Sequence, residues 1–152
     1  MSLDPGQVLD LFTFVVGPHR YAIDVRRVDE VLAPAEVTPL PGARAPVDGL
    51  LSLRGGPVPR VDLRLCLPAG DPPAGSEPRV LLCWLGRRRV AFYVDGVGGV
   101  TRVPAARLQV APGGPVVPPA VVAVSVEGGA VHFLLDLVDL LHRQSPPAPA
   151  PG

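Results

Sequence analysis

Residues 47–65 read V-D-G-L-L-S-L-R-G-G-P-V-P-R-V-D-L-R-L. An apolar strand, Gly49–Leu53, runs into Arg54. Gly55 and Gly56 turn the chain, and a second strand, Pro57–Val61, returns to Asp62. Glycine reaches positive φ without steric cost, so two glycines between apolar runs signal a hairpin. The turn also carries an arginine where Asn or Asp would serve better as a turn former. That puts a fixed cation at the tip of an apolar hairpin, a place suited to meeting a partner.

The same grammar extends in both directions. Short Val- and Leu-rich runs broken by Gly or Pro are the signature of an all-β chain. The first half predicts strands at Leu11–Val16, Arg20–Ile23, Val28–Ala33, Gly49–Leu53 and Pro57–Val61. Residues 68–78 hold four prolines, two glycines and no large apolar side chain, and read as a linker. The second half predicts strands at Arg79–Leu85, Arg89–Val94, Val97–Val103, Val121–Val126 and Ala130–Leu135, with a Pro/Gly loop at Ala111–Pro119. One domain over residues 1–145 follows, with one half at about 11–67, the other at about 79–141, and a proline-rich tail at 145–152 expected to be disordered.

An internal echo supports two similar halves. Val61-Asp62-Leu63-Arg64-Leu65 and Leu135-Asp136-Leu137-Val138 each place an aspartate between a strand and a helically spaced apolar run, and Ile23-Asp24-Val25 repeats it. An aspartate there accepts a hydrogen bond from a free N–H of the following turn, worth about 1 kcal/mol. Asp24, Asp62 and Asp136 are therefore caps, and Asp95, in V-D-G, reads as a turn residue. His19, His132 and His142 lack ligand spacing to one another or to cysteine. Gly96-Val97-Gly98-Gly99 precedes a strand, which disfavours a phosphate loop. These readings leave no candidate catalytic group, metal site or cofactor site.

Charge is balanced at 14 basic and 14 acidic residues, so no net field favours nucleic acid or anionic lipid. All 14 basic residues are arginine, scattered along the chain as a coding bias would leave them. The run Arg87-Arg88-Arg89 reads as a solvated hairpin turn. Cys66 and Cys83 lie in apolar runs without CxxC spacing and read as buried thiols in a reducing compartment. No apolar run approaches the ~18 residues of a membrane helix, and Met1–Gln7 has no signal-peptide pattern. A cytoplasmic protein is expected.

Taken in order, these segments resemble the CheW-like family of chemotaxis adaptors. F-T-F-V-V-G-x-x-x-Y-A-I-D-V (12–25) is similar to its opening hairpin, and V-D-E-V-L (28–32) to its V-x-E-V segment. P-L-P (39–41) and G-L-L-S-L-R-G-G-P-V-P-R-V-D-L-R (49–64) resemble its P-x-P and L-R-G signatures. V-D-G-V (94–97) and L-L-D-L-x-x-L-L (134–141) follow in order. Ser52 stands where the signature usually has asparagine, Arg60 where an aliphatic residue is common, and Ala123 where glycine is usual.

The resemblance implies two five-stranded, SH3-like β-barrels packed side by side, with short Asp-capped helical segments. It implies an adaptor rather than an enzyme, needing no cofactor. Its partners would be the regulatory domain of a CheA-type histidine kinase and the cytoplasmic tip of a chemoreceptor, which would recruit it to membrane-associated receptor arrays. Serving only one partner, or a motility or developmental pathway, is the alternative, and a ligand-binding β-barrel using Asp95 or His132 is a remote one. By position, the resemblance points to Arg54, Glu30, Val28, Gly49 and Ser52 as partner-binding residues, together with Val80 and Val100.

Overall fold

The computed structural model describes residue 4 and residues 6–110 and 118–144. The expected tail and most of the loop at Ala111–Pro119 lie outside the described residues. Eleven strands and one helix form in chain order. They are β1 (Val8–Val16), β2 (His19–Asp24), β3 (Val28–Leu32), β4 (Val47–Leu53), β5 (Gly56–Asp62) and β6 (Arg79–Leu85). Then come β7 (Arg88–Val94), β8 (Gly96–Pro104), β9 (Gln109–Val110), β10 (Val121–Glu127), β11 (Ala130–Leu135) and α1 (Leu137–Gln144). All ten strands read from the sequence are present. The eleventh, β9, has two residues, too few to show a period.

The strands form two sheets, ordered β8-β1-β2-β11-β10-β9 and β3-β6-β7-β5-β4. In this order neither sheet closes on itself, so the SH3-like halves are open rather than closed barrels. The sheets also do not divide at the linker. β1 and β2, expected with the first half, pair with β8 and β11 of the second, while β6 and β7 complete the sheet of β3, β4 and β5. Each half lends its opening hairpin to the other half's sheet. The lent hairpin is fixed by one parallel pairing in each sheet, β2 with β11 and β5 with β7.

Burial on both faces explains why so many strands are continuously apolar. Along β1, Leu9 and Leu11 enter one cluster with Ala22, Val103, Ala123 and Leu134. Phe12, Phe14 and Val16 alternate onto the other face. Along β6, Val80 and Leu82 join Leu51, Val58 and Ala91, while Leu81 and Cys83 face the opposite way. The faces turned toward each other make the largest cluster, where Phe14, Tyr21 and Ile23 meet Val61, Leu63, Phe92 and Val94. Each fully buried side chain of this size contributes roughly 1.5–3 kcal/mol.

The aspartate caps form as read. Asp24 accepts from the Arg26 N–H at 2.9 Å, Asp62 from the Arg64 N–H at 2.9 Å, and Asp136 from the Asp139 N–H at 3.0 Å. The first two open single 3-10 turns, and the third opens α1, whose Leu137 and Leu140 close over the central cluster. Cys66 and Cys83 are buried free thiols in the same cluster, and burial pushes them up to about 11 and about 12.

One polar group sits badly in this core. Tyr21 is fully buried, stacks on Phe14 at 5.8 Å and tilts against Phe133 at 5.9 Å. Its hydroxyl has no hydrogen-bond partner among the described residues, and burial holds the phenol well above its ordinary range. An unsatisfied buried hydroxyl costs about 1–3 kcal/mol. Tyr21→Phe therefore keeps or raises stability in denaturant titration, whereas Tyr21→Ala loses about 3–5 kcal/mol. A loss above about 1 kcal/mol in Tyr21→Phe would show that the hydroxyl is satisfied after all.

Candidate partner-binding surface

The tip of the β4–β5 hairpin is Arg54–Gly55, and Gly56 already pairs with Leu53. Gly55 and Gly56 sit at φ +98° and +120°, the left-handed region that glycine supplies. The Arg54 carbonyl accepts from the Arg89 guanidinium at 3.4 Å. Arg89 also lies 3.7 Å from the Asp29 carboxylate and 5.8 Å from the centre of the Trp84 ring. The backbone of the tip is thus fastened to β7 and β3. The Arg54 guanidinium itself is exposed and has no partner among the described residues.

Glu30 is exposed on β3, next to Asp29, and forms no ion pair with Arg54 among the described residues. Val28, two residues before it, is half-buried against the central cluster. Ser52 is exposed on β4 opposite Pro57. Val100 is 59% exposed on β8, the edge of the other sheet, so it does not belong with Arg54 and Glu30.

Two of the expected surface residues are structural instead. Val80 has no exposed surface and packs with Leu51, Val58 and Ala91. It cannot touch a partner, because β6 is an inner strand with apolar cover on both faces. Gly49 is buried at φ +150°, and a Cβ there would lie 2.4 Å from both the Thr38 carbonyl oxygen and Val37 Cγ1. The segment around Thr38 bonds to Leu50 in both directions, at 2.9 and 2.8 Å, and covers the outer edge of β4. Gly49 admits that close approach.

Sequence reading missed Trp84, the next-to-last residue of β6, which is 41% exposed. The alternation places it on the face of Val80 and Leu82, but the strand runs past the cluster they enter. The turn at Gly86–Arg87 directly after it was the available signal.

Asp95 is not an ordinary turn residue. It is 3% exposed, accepts from the Gly17 N–H at 2.7 Å and lies 3.2 Å from the Arg64 guanidinium. It directly follows Val94, the last apolar residue of β7, as Asp24 follows Ile23 of β2, but here Gly96 begins β8 at once. The carboxylate reaches the β1–β2 turn instead of capping a helix. A buried charge needs such partners to be tolerated. His132 lies on β11 beside Arg20 of β2 and Ser125 of β10. Burial, then the Arg20 charge, push its imidazole below the ordinary histidine range, against the opposing pull of Glu127. Asp95 is thus accounted for by the fold.

Residues 10–145 match the family model for the CheW-like domain. The chain belongs to the CheW-like family. It is 29% identical over 103 residues to chemotaxis protein CheW of Klebsiella aerogenes, covering 68% of this chain and 62% of that protein. It is 30% identical over 105 residues to chemotaxis protein CheW of Rhizobium meliloti, covering 68% and 66%. Protein FrzA of Myxococcus xanthus is 31% identical over 97 residues, covering 64% and 61%. The chain thus spans less than two thirds of the length of these relatives. The crystal structure of scaffolding protein TtCheW from Thermoanaerobacter tengcongensis superposes with a TM-score of 0.76 at 19% identity, covering 86% of this chain and 90% of that one.

Of the departures from the CheW-like pattern, Arg60 has local compensation. Arg60 replaces an aliphatic residue on β5, and its Nε donates to Asp48 at 3.0 Å while the guanidinium lies 5.2 Å from the Tyr93 ring centre. The Asp48 hydrogen bonds raise the Arg60 pKa above its usual value. Ala123 is buried beside Leu9, Ala22 and Leu134, at a register shift in β10. No described helix is long and apolar enough to cross a membrane.

Two outcomes follow from these environments. Gly49→Ala strains φ and drives Thr38 off β4, so it costs at least about 1–3 kcal/mol in thermal or chemical unfolding. A variant of unchanged stability would return Gly49 to the list of contact residues. For His132 the folded pKa lies below the unfolded value of 6.5, so its contribution is fully present above that value and is lost as pH falls from there through the lower folded pKa. Stability declines across that window, and His132→Gln flattens the decline. An identical slope in the variant would assign it elsewhere.

Proposed function

We propose that this chain is a non-enzymatic chemosensory adaptor that couples chemoreceptors to a CheA-type histidine kinase in two-component signalling. Membership of the CheW-like family over residues 10–145 carries the reading. The names of its relatives, chemotaxis proteins and a scaffolding protein, point the same way. The mechanism is geometric. Separate faces of one rigid body hold kinase and receptor together, which raises their effective concentration and fixes their orientation. Receptor state then biases kinase activity through the difference in contact energy between two arrangements. Receptor binding brings the adaptor to the membrane-associated array.

Arg54, Glu30, Val28 and Ser52 are the residues we assign to partner contact, with Val100 on a second face. Arg54 supports the assignment best. Its backbone is anchored through Arg89, yet its guanidinium has no partner among the described residues. An exposed cation contributes about 0–1 kcal/mol to folding, but truncating one that becomes paired and desolvated in an interface costs 2 kcal/mol or more, about thirtyfold in Kd. Calorimetry with a kinase regulatory domain and a receptor-tip fragment from the same organism tests this. Wild type binds both, and Arg54→Ala weakens at least one by roughly thirtyfold with little change in Tm. Binding to only one partner would make the chain a decoy or capping protein, and binding to neither would remove the adaptor reading.

A further inference from the structure

The register gathers arginines at one end of the five-stranded sheet. β5 and β7 run parallel with Arg60 opposite Ala91, so both strands begin at the same end. The hairpin tips that precede them, Arg54–Gly55 and Gly86–Arg87, lie side by side there. β3 is antiparallel to β6 with Val28 opposite Cys83, which brings Arg26 and Arg27 to that end as well. Six of the 14 arginines are thus in one place: Arg26, Arg27, Arg54, Arg87, Arg88 and Arg89.

Their bonding is uneven. Arg26 pairs with Asp24, and Arg89 with Asp29. Arg27 donates to the Trp84 carbonyl at 3.4 Å. Arg54, Arg87 and Arg88 are exposed and have no carboxylate partner among the described residues. Elsewhere Arg60, Arg64, Arg79, Arg102, Arg107 and Arg143 each have one, whereas Arg20 and Arg44 stand apart as single exposed arginines without one among the described residues. Unpaired like charges on adjacent turns repel and give the fold nothing. Beside them is a depression of about 350 Å³ lined by Asp24, Arg26, Arg27, Trp84 and Gly86. An exposed indole, a hollow and a ring of guanidinium groups make a recognition surface.

We propose that this end of the sheet docks an acidic segment of a partner protein, with Arg54, Arg87 and Arg88 taking its carboxylates and Trp84 an adjacent apolar side chain. Guanidinium forks match carboxylates bidentately. A protein fits better than a uniform polyanion, because Asp24, Asp29 and Glu30 stand at the same end and would oppose a bilayer or a nucleic acid strand. The chain carries no net charge to draw in a polyanion, and Trp84 alone is no base-stacking platform. The inference rests on the adaptor reading only in assigning the acidic segment to the kinase or the receptor.

The test compares the full chain with Arg87→Glu/Arg88→Glu, two exposed positions at the turn and the first residue of β7, where Tm is expected to hold. The first probe is a fluorescein-labelled Glu/Leu peptide beside its Gln/Leu analogue. Wild type binds the acidic peptide, and both charge removal from the peptide and charge reversal in the protein raise Kd by about tenfold or more. Rising salt weakens the binding further. Equal affinity for the two peptides overturns the proposal. So does preferential binding to phosphatidylserine vesicles or to an oligo-dT strand. The second probe is the kinase regulatory domain and receptor-tip fragment. If wild type and the double variant bind both equally, the acidic-segment inference fails while the adaptor reading stands. If neither partner binds but the peptides are still distinguished, the adaptor reading fails and the inference stands.

Discussion

The contact between the two facing sheets is the constraint on which the remaining structure depends. Phe14, Tyr21 and Ile23 from one sheet and Val61, Leu63, Phe92 and Val94 from the other share one apolar cluster. Neither sheet is buried on that face without its partner. Each also has its own smaller cluster on the far face, so its inner strands are covered twice. The exchanged hairpins make this contact hard to open. Pulling the sheets apart would also strain the connections by which β2 leads into β3 and β7 into β8. Asp95 adds a polar lock at the same seam, joining the start of β8 to the β1–β2 turn and to Arg64 after β5.

The strands were legible because Gly and Pro punctuate them and Val and Leu fill them, and the caps were legible because Asp follows each strand end at the same offset. What the pattern could not carry was pairing. A strand apolar on both faces has no polar side to fix its orientation, so β1–β2 reads equally well in either half. The same loss of phase hid the difference between Val80 and Trp84, which share one face of β6. Val80 lies over a cluster and Trp84 lies beyond its edge. Gly49 was legible as important but not as to why. Its neighbour in space, Thr38, is eleven positions away in the sequence, in a segment with no strand pattern of its own.

Arginine shows how composition and placement answer different questions. A coding preference accounts for the use of arginine in place of lysine. It does not account for where the fold carries those residues. Arg60 shows the structural outcome: on β5 it is half-buried, bonded to Asp48 and laid against Tyr93. Arg89, read as part of a solvated turn, shows a mixed one. It stands in β7 and ties Arg54, Asp29 and Trp84 together. Arg54, Arg87 and Arg88 have no such partner among the described residues.

A scaffold of this kind must hold its contact groups still while leaving them unspent. Ordering a long side chain on binding costs about 0.5–1.5 kcal/mol, so a surface that is partly ordered beforehand keeps more of its contact energy. The hairpin tip meets both demands at once. Its backbone is bonded through the Arg54 carbonyl to Arg89, and Arg89 is held in turn by Asp29, so the tip is fixed from two strands, β7 and β3. The guanidinium of Arg54 is left to solvent. On the adaptor reading, rigidity is therefore supplied by the contacts of Arg89, and recognition by side chains without a partner among the described residues. That division lets partner specificity change at the turns without disturbing the core between the sheets.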